Sequence, residues 1–510
     1  MLRGSQVVSP ETKRRVGPLA AVLQALCITV PLGGCLLTAD KIDPALDIPV
    51  SYEHGPRNPA AADAAVPSLD WWRGFRSKEL TELIEEARSA NLDIAVAIAQ
   101  IVQADAQSRI AGAPLLPGVT LNGSAERLRP SKTLSGSNFS GSFTGGSESN
   151  ILTASLTASY EIDFWGKNRS ALRAAEESAV ASRYNREVVT LTTVVSVANT
   201  YFQVLAAQDR LRIARENLAS SSRILSLIRQ QFSAGTASDL NVAQQESLVD
   251  TIRATIPPLV QTLQQNKAAL ALLIARPPES VVIRGGSMRN IAIPRVTPGL
   301  PSELIAQRPD VRQAEAQLAS ANANVVNARA QFLPSITLTG DGGYQSAVLK
   351  LLLRPESAFY TATAGLTQPI FEGGKLLGNL DLQKGTQDQL LQNYRKAVIS
   401  AFTDVDNALV AVQQTKLTVR FLGEVVKSSQ RAFDLSDQQL RAGTVNMVTL
   451  LQVQQTLILA KDALAQARLA RLQAIVSLYQ ALGGGWLPKL VEISDARYAA
   501  KANLGENARP

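Results

Sequence analysis

Cysteine and histidine, the side chains on which thiol catalysis and structural zinc sites depend, are few in this 510-residue chain: two cysteines, Cys27 and Cys35, and one histidine, His54. His54 sits in a Pro- and Ala-rich stretch and reads as a surface residue. A tetrahedral zinc site, or a thiol paired with an imidazole base, needs more such groups than the chain supplies. No constellation of nucleophile, base and metal ligand can be assembled, so neither an enzyme nor a metal site is expected. The chemistry that remains is modification of the Cys35 thiol itself.

Lys13, Arg14 and Arg15 precede an apolar run from Val16 to Leu32, bracketed by Pro18 and Pro31 and closed by Leu32-Gly33-Gly34-Cys35. A basic stretch, a short apolar run and a small-residue cleavage site read as a secretory signal, too short and broken for a spanning helix of ~20 residues. Leu-x-x-Cys resembles a bacterial lipobox. It implies cleavage before Cys35 and lipidation of its thiol, with no cofactor beyond that covalent lipid. No Asp follows Cys35, which by analogy with bacterial lipoproteins permits transfer to the outer membrane. Cys27 departs with the signal, so no disulfide is expected. The signal carries Arg3, Lys13, Arg14 and Arg15 against Glu11, and its removal lowers the formal charge from +8 to +5. That excess forms no dense basic run and argues against a nucleic-acid partner.

The elements that must position any function come in two copies. Asn91-Leu92-Asp93-Ile94 aligns with Arg308-Pro309-Asp310-Val311, and Leu115–Gly123 with Phe332–Gly340. Gly166-Lys167 then aligns with Gly374-Lys375, and Ala234-Gly235-Thr236 with Ala442-Gly443-Thr444. The first copy has the longer Ser/Gly-rich loop, from Ser131 to Asn150. Such a repeat exceeds the ~20–50-residue unit of a solenoid. The chain divides into a signal (1–34), a lipidated N-terminal segment (35–76), a first repeat (77–276), a link (277–301), a second repeat (302–482) and a tail (483–510).

Within each copy the hydrophobic period changes. From Leu152 to Phe164 apolar and polar residues alternate, long enough for a tilted strand to cross a bilayer. Strands are predicted near 119–128, 151–164, 335–345 and 359–371. Between them Lys167–Ala234 holds neither Gly nor Pro and predicts a rod of roughly 100 Å. Its counterpart Lys375–Ala442 contains Gly378, Gly385 and Gly423 as weak points. Shorter helices at 91–113 with 238–276, and at 309–331 with 446–482, add up to about one rod length each if stacked end to end. Pro257-Pro258 predicts a kink or break. The fold class is therefore mostly α, with a pair of membrane β hairpins per chain.

Four membrane strands leave two open edges that lipid does not tolerate, so closure requires several chains. Eight strands would be filled by side chains, whereas twelve from a trimer leave room for a water-filled lumen.

Asp70-Trp71-Trp72, Tyr160-Glu161-Ile162-Asp163-Phe164-Trp165-Gly166 and Gln307-Arg308-Pro309-Asp310-Val311-Arg312 resemble sequences of the TolC-like outer-membrane factor family. So do Gln368-Pro369-Ile370-Phe371-Glu372-Gly373-Gly374 and Ala481-Leu482-Gly483-Gly484-Gly485-Trp486. The match is to the lipoprotein branch that serves resistance-nodulation-division (RND) efflux pumps. The resemblance implies a homotrimer: a twelve-stranded barrel in the outer membrane, continued by a long α-helical barrel across the periplasm. An equatorial belt would come from the N-terminal segment, the link and the tail. It also implies a passive exit duct whose partners are a periplasmic adaptor, an inner-membrane RND transporter and outer-membrane lipid. The other readings are a duct for type I protein secretion, or a non-conducting structural trimer of the envelope.

From the same resemblance, the turns at Gly235-Thr236 and Gly443-Thr444 are the expected adaptor contacts. The polar residues beside them are the expected periplasmic gate: Asp434, Asp437 and Arg441 before the second turn, and Asp239 after the first. Asp434, Asp437 and Arg441 follow the i, i+3, i+7 spacing that shares a helix face.

Overall fold

The computed structural model describes Leu46, residues 52–53, 67–129, 148–294, 296 and 301–486. The expected signal, Cys35, His54, most of the Ser/Gly-rich loop and the tail beyond Trp486 lie outside the described residues. The chain forms two compact units. Among the described residues, one gathers 109–129, 148–174 and 321–387; the other gathers 67–108, 175–294, 301–320 and 388–486.

The helices run α1 Lys78–Ala90, α2 Leu92–Gly112, α3 Lys167–Ser233, α4 Asp239–Leu273, α5 Pro301–Gln307, α6 Pro309–Ala330, α7 Lys375–Arg441 and α8 Met447–Ala481. The strands are β1 Gly118–Leu128, β2 Ser149–Ile162, β3 Ser335–Ser346 and β4 Ala358–Thr367.

The two long helices, α3 and α7, have 67 residues each. Gly378, Gly385 and Gly423 do not interrupt α7, and an added Cβ at any of them would meet nothing within 4 Å. Each therefore costs the helix only the ~1 kcal/mol of a glycine in place of alanine. Pro257 and Pro258 do not break α4 either, which corrects the expectation of a break there. Leu248, Val249, Ile252, Leu263 and Leu270 on either side of them are buried. Burial of that face offsets the two helical hydrogen bonds that the prolines cannot donate.

The sheet of the first unit is antiparallel throughout, in the order β1-β2-β3-β4. β2 stops at Ile162 rather than Phe164. Asp163 leaves the ladder to cap α3, its carboxylate accepting from the amides of Asn168 (3.0 Å) and Arg169 (2.8 Å). β4 stops at Thr367 rather than 371, just before Pro369, which has no amide proton for a ladder.

The second unit has its core where Trp71, Trp72 and Phe75 pack on α3 and α8. Trp71 stacks on Tyr479 with ring centroids 4.8 Å apart, and Phe75 meets Phe202 edge-on at 5.1 Å. A second cluster joins Leu304, Val311, Val398, Val405, Leu478 and Leu482. A third, of Ile224, Ile228, Met447 and Leu450, holds the two helical hairpins together near their turns.

Candidate functional site

Residues paired across antiparallel strands lie on the same face, so the register assigns every side chain of the sheet a side. Leu121, Leu156 and Gly342 align in one row, which Tyr360 completes; Val119, Ala158, Gly340 and Ala362 form the next. Tyr160, Leu338 and Ala364, then Ile162, Ile336 and Leu366, continue this face. The opposite face carries Asn122, Ser155, Thr157, Thr337, Thr339, Asp341, Thr361 and Thr363. On it Asn122 donates to Thr157 Oγ1 (3.1 Å), and Thr157 donates to Asp341 Oδ1 (2.8 Å). One face is thus suited to hydrocarbon and the other to water. Leu121, Tyr360 and Leu366 on the apolar face are 77, 89 and 71 % exposed. The two edges, β1 and β4, have no further strand beside them among the described residues.

In the second unit, the end-to-end arrangement of short helices rests on Asn91 and Arg308, to which sequence reasoning gave no structural role. Asn91 caps α2, its side-chain oxygen accepting from the amides of Asp93 (2.9 Å) and Ile94 (3.1 Å). Its amide nitrogen donates to the carbonyl of Leu273, the last residue of α4, at 2.8 Å. Arg308, at the matching place before α6, donates to Asp310 and Asp404 and to the carbonyl of Ala481, the last residue of α8. Burial opposes the charge on Arg308, yet the two carboxylates raise its pKa overall. The Asn-x-Asp pattern opening α2 is a cap signature that could have marked Asn91 in advance.

The link is tethered by two carboxylates that sequence reasoning did not single out. Glu79 accepts from the amides of Arg284 (2.8 Å) and Gly285 (3.1 Å), and from the Tyr201 hydroxyl at 3.0 Å. Asp209, buried, accepts from Ser287 Oγ (2.9 Å) and the Met288 amide (3.0 Å). Desolvation, with the nearby Glu79 charge, pushes the Tyr201 phenol up to about 12.

The two helical hairpins turn by the same geometry. Gly235 and Gly443 have φ of +76° and +74°. The Thr236 amide and hydroxyl both donate to the Gln231 carbonyl (2.8 and 2.9 Å), and those of Thr444 to Gln439 (2.9 and 3.1 Å). With Gly235 N–H to Phe232 and Gly443 N–H to Leu440, each is a Schellman stop that consumes the last carbonyls of its rod. Ser238 and Asn446 then cap the returning helices. The spacing of Asp434, Asp437 and Arg441 resolves into separate contacts. Arg441 pairs with Asp437 at 2.9 Å, whereas Asp434 accepts from Gln430 at 2.8 Å. Asp239 lies exposed in the first turn of α4.

The chain matches the outer membrane efflux protein family over residues 83–276 and 300–484. It is 40% identical over 464 residues to the pyoverdine export outer membrane protein OpmQ of Pseudomonas putida, covering 90% of this chain and 97% of that one. Against the toluene efflux pump outer membrane protein TtgC of Pseudomonas putida the figures are 31% over 458 residues, 89% and 93%. Among solved structures, the open state of the Neisseria gonorrhoeae MtrE outer membrane channel superposes with a TM-score of 0.76 at 28% identity, covering 88% of this chain and 98% of that one. The two-faced sheet and paired helical hairpins belong with these matches: the chain is a member of the outer membrane efflux protein family.

Proposed function

We propose that three copies of this chain close into the exit duct of a tripartite efflux system in a Gram-negative outer membrane. The observation that carries this is the sheet: four strands, an apolar face, a polar face and two free edges. In lipid those edges have to be paired, and twelve strands from three copies enclose a wet lumen lined by the Thr/Ser/Asp341 face. Apolar residues on two different helices support lateral contacts of the head-to-tail kind that close a ring. Leu92, Val96 and Ile110 are exposed on α2, and Leu417, Phe421 and Val425, one turn apart, on α7.

In this duct Cys35 carries the lipid anchor. The Gly235-Thr236 and Gly443-Thr444 turns meet a periplasmic adaptor, which links the duct to an inner-membrane RND transporter. Asp434, Asp437, Arg441 and Asp239 line the resting gate. The duct is passive and takes no part in choosing cargo. Relatives named for pyoverdine export and toluene efflux, which share this scaffold, support that indifference.

The test is the mass of the purified protein in detergent together with its conductance in a planar bilayer. A trimer with discrete conductance steps upholds the duct. A monomer or dimer sinks it. A trimer that stays silent even when its gate carboxylates are removed points to the structural envelope trimer instead.

A further inference from the structure

Residues 347–357 join β3 to β4 at the strand ends remote from the helices, since β3 is entered from α6 and β4 leaves towards α7. Their sequence is Ala-Val-Leu-Lys-Leu-Leu-Leu-Arg-Pro-Glu-Ser. The segment is wound into successive turns: the amides of Leu351, Leu352 and Arg354 donate to the carbonyls of Val348, Leu349 and Leu351 at 3.0–3.1 Å. Ser357 Oγ ties its end back to the Leu351 carbonyl at 2.8 Å, and Ser346 Oγ accepts from the Val348 amide at 3.2 Å. Despite that order two of its four leucines face solvent, Leu349 at 72 % and Leu353 at 76 % exposure, while Leu351 and Leu352 are half-buried.

Leu349 and Leu353 are one turn apart, and each is followed by a cation, Lys350 and Arg354. Both cations are exposed, and neither has an ion-pair partner among the described residues. Glu356 is the one acid of the segment. An ordered loop that presents two leucines to water marks a covered surface. Apolar stems beside cationic heads are the arrangement that suits the boundary between acyl chains and anionic headgroups. The loop is also continuous with a lipid-compatible surface, because exposed Tyr360 opens the apolar face of β4 three residues beyond Ser357.

We propose that this loop is a lipid-interface anchor, with Leu349 and Leu353 in the acyl boundary of the outer leaflet and Lys350 and Arg354 on phosphate-bearing headgroups. The assignment rests on the sheet being a barrel wall in the outer membrane. Lipid fits better than a second copy: loops folded over a shared mouth would bring the Lys350 and Arg354 charges of several copies together, where they repel.

The test uses the full-length protein with Leu353→Cys carrying a polarity-sensitive fluorophore, the unsubstituted protein serving as blank for labelling elsewhere. It is reconstituted into phosphatidylcholine vesicles with or without phosphatidylglycerol, each containing a headgroup-level nitroxide lipid. The expected result is blue-shifted emission quenched by the nitroxide, more strongly with phosphatidylglycerol, and loss of that increment when K350E and R354E are added. Water-like, unquenched emission overturns the proposal, as does disulfide formation between copies of the unlabelled Leu353→Cys protein on exposure to an added oxidant. Conductance of the same vesicles reports separately on the duct. A conducting protein with a water-exposed probe removes the loop assignment alone, and a quenched probe in a protein that stays silent even with its gate carboxylates removed counts against the duct alone.

Discussion

The side-chain amide of Asn91 donates to the main-chain carbonyl of Leu273, 2.8 Å away, and so fastens the start of one short helix to the end of another 182 residues later in the chain. The last carbonyls of a helix have no partner within it. Here the next helix in the column supplies one, while the other end of the same side chain caps its own helix. The second copy reaches the same end with a different residue, Arg308 donating to the Ala481 carbonyl at 3.2 Å.

Replacing Asn91 by Ala removes a cap and leaves the Leu273 carbonyl unpaired, at a cost of about 1–2 kcal/mol. Thermal unfolding in detergent should show a lowered Tm for Asn91→Ala and a smaller loss for Asn91→Asp, which keeps the cap and gives up only the donor. Arg308→Ala should destabilise more, since it strips charge-assisted bonds from Asp310 and Asp404 as well.

Gly235→Ala and Gly443→Ala place a Cβ in open space but on a left-handed backbone, a strain of roughly 1–2 kcal/mol each. The effect should stay local. Amide hydrogen exchange is expected to quicken at the turns, with no change in the mass of the assembly. Unchanged exchange at both turns would mean that another backbone geometry serves there equally well.

On the sheet, Leu156→Lys and Thr157→Lys separate the two faces. A lysine at 156 meets lipid and should cost about 2–4 kcal/mol near the bilayer midplane, seen as poor membrane assembly. At 157 it meets the lumen, so the protein should assemble normally and conduct with a shifted ion selectivity. The reverse outcome would turn the barrel wall inside out.

Tyr201 gives the protein an alkaline limit. Burial pushes its phenol up to about 12 in the folded chain, from the ordinary 10.0. Between those values the unfolded chain has released a proton that the folded chain keeps, so stability present below pH 10 falls as pH rises, by about 3 kcal/mol at most. Denaturant unfolding across that window should fall more steeply for the parent than for Tyr201→Phe, and parallel curves would refute the assignment.

At the hairpin turns, D434A combined with D437A should raise single-channel conductance. Asp437 is the sharper probe, because its loss also frees Arg441 from a 2.9 Å pair. If conductance does not change, these residues do not belong to the gate.

Much of this was legible in one dimension because it repeats along the chain. Alternation from Leu152, an unbroken stretch from Lys167 and the matched Gly-Thr turns each report a local preference, and local preferences survive without a partner. The Phe164 end of β2 misled because alternation continues one step past the point where Asp163 turns to cap α3. Of the kink or break expected at Pro257-Pro258, the break does not occur, because a local breaker can be overruled by burial on either side.

The amino-acid sequence alone determined the kinds of element, their duplication, the two-sided strands and the need for edges to be closed, since each follows from periodicity or from backbone chemistry. Only the tertiary structure decided which strands meet and which helix ends are joined. The β2–β3 pairing that welds the two copies into one sheet, the Asn91–Leu273 and Arg308–Ala481 fastenings, and the Glu79 and Asp209 tethers on the link all join residues far apart in the chain. Such contacts carry no periodic trace. Their partners are selected by three-dimensional proximity and by the cost of leaving a buried donor or acceptor unpaired.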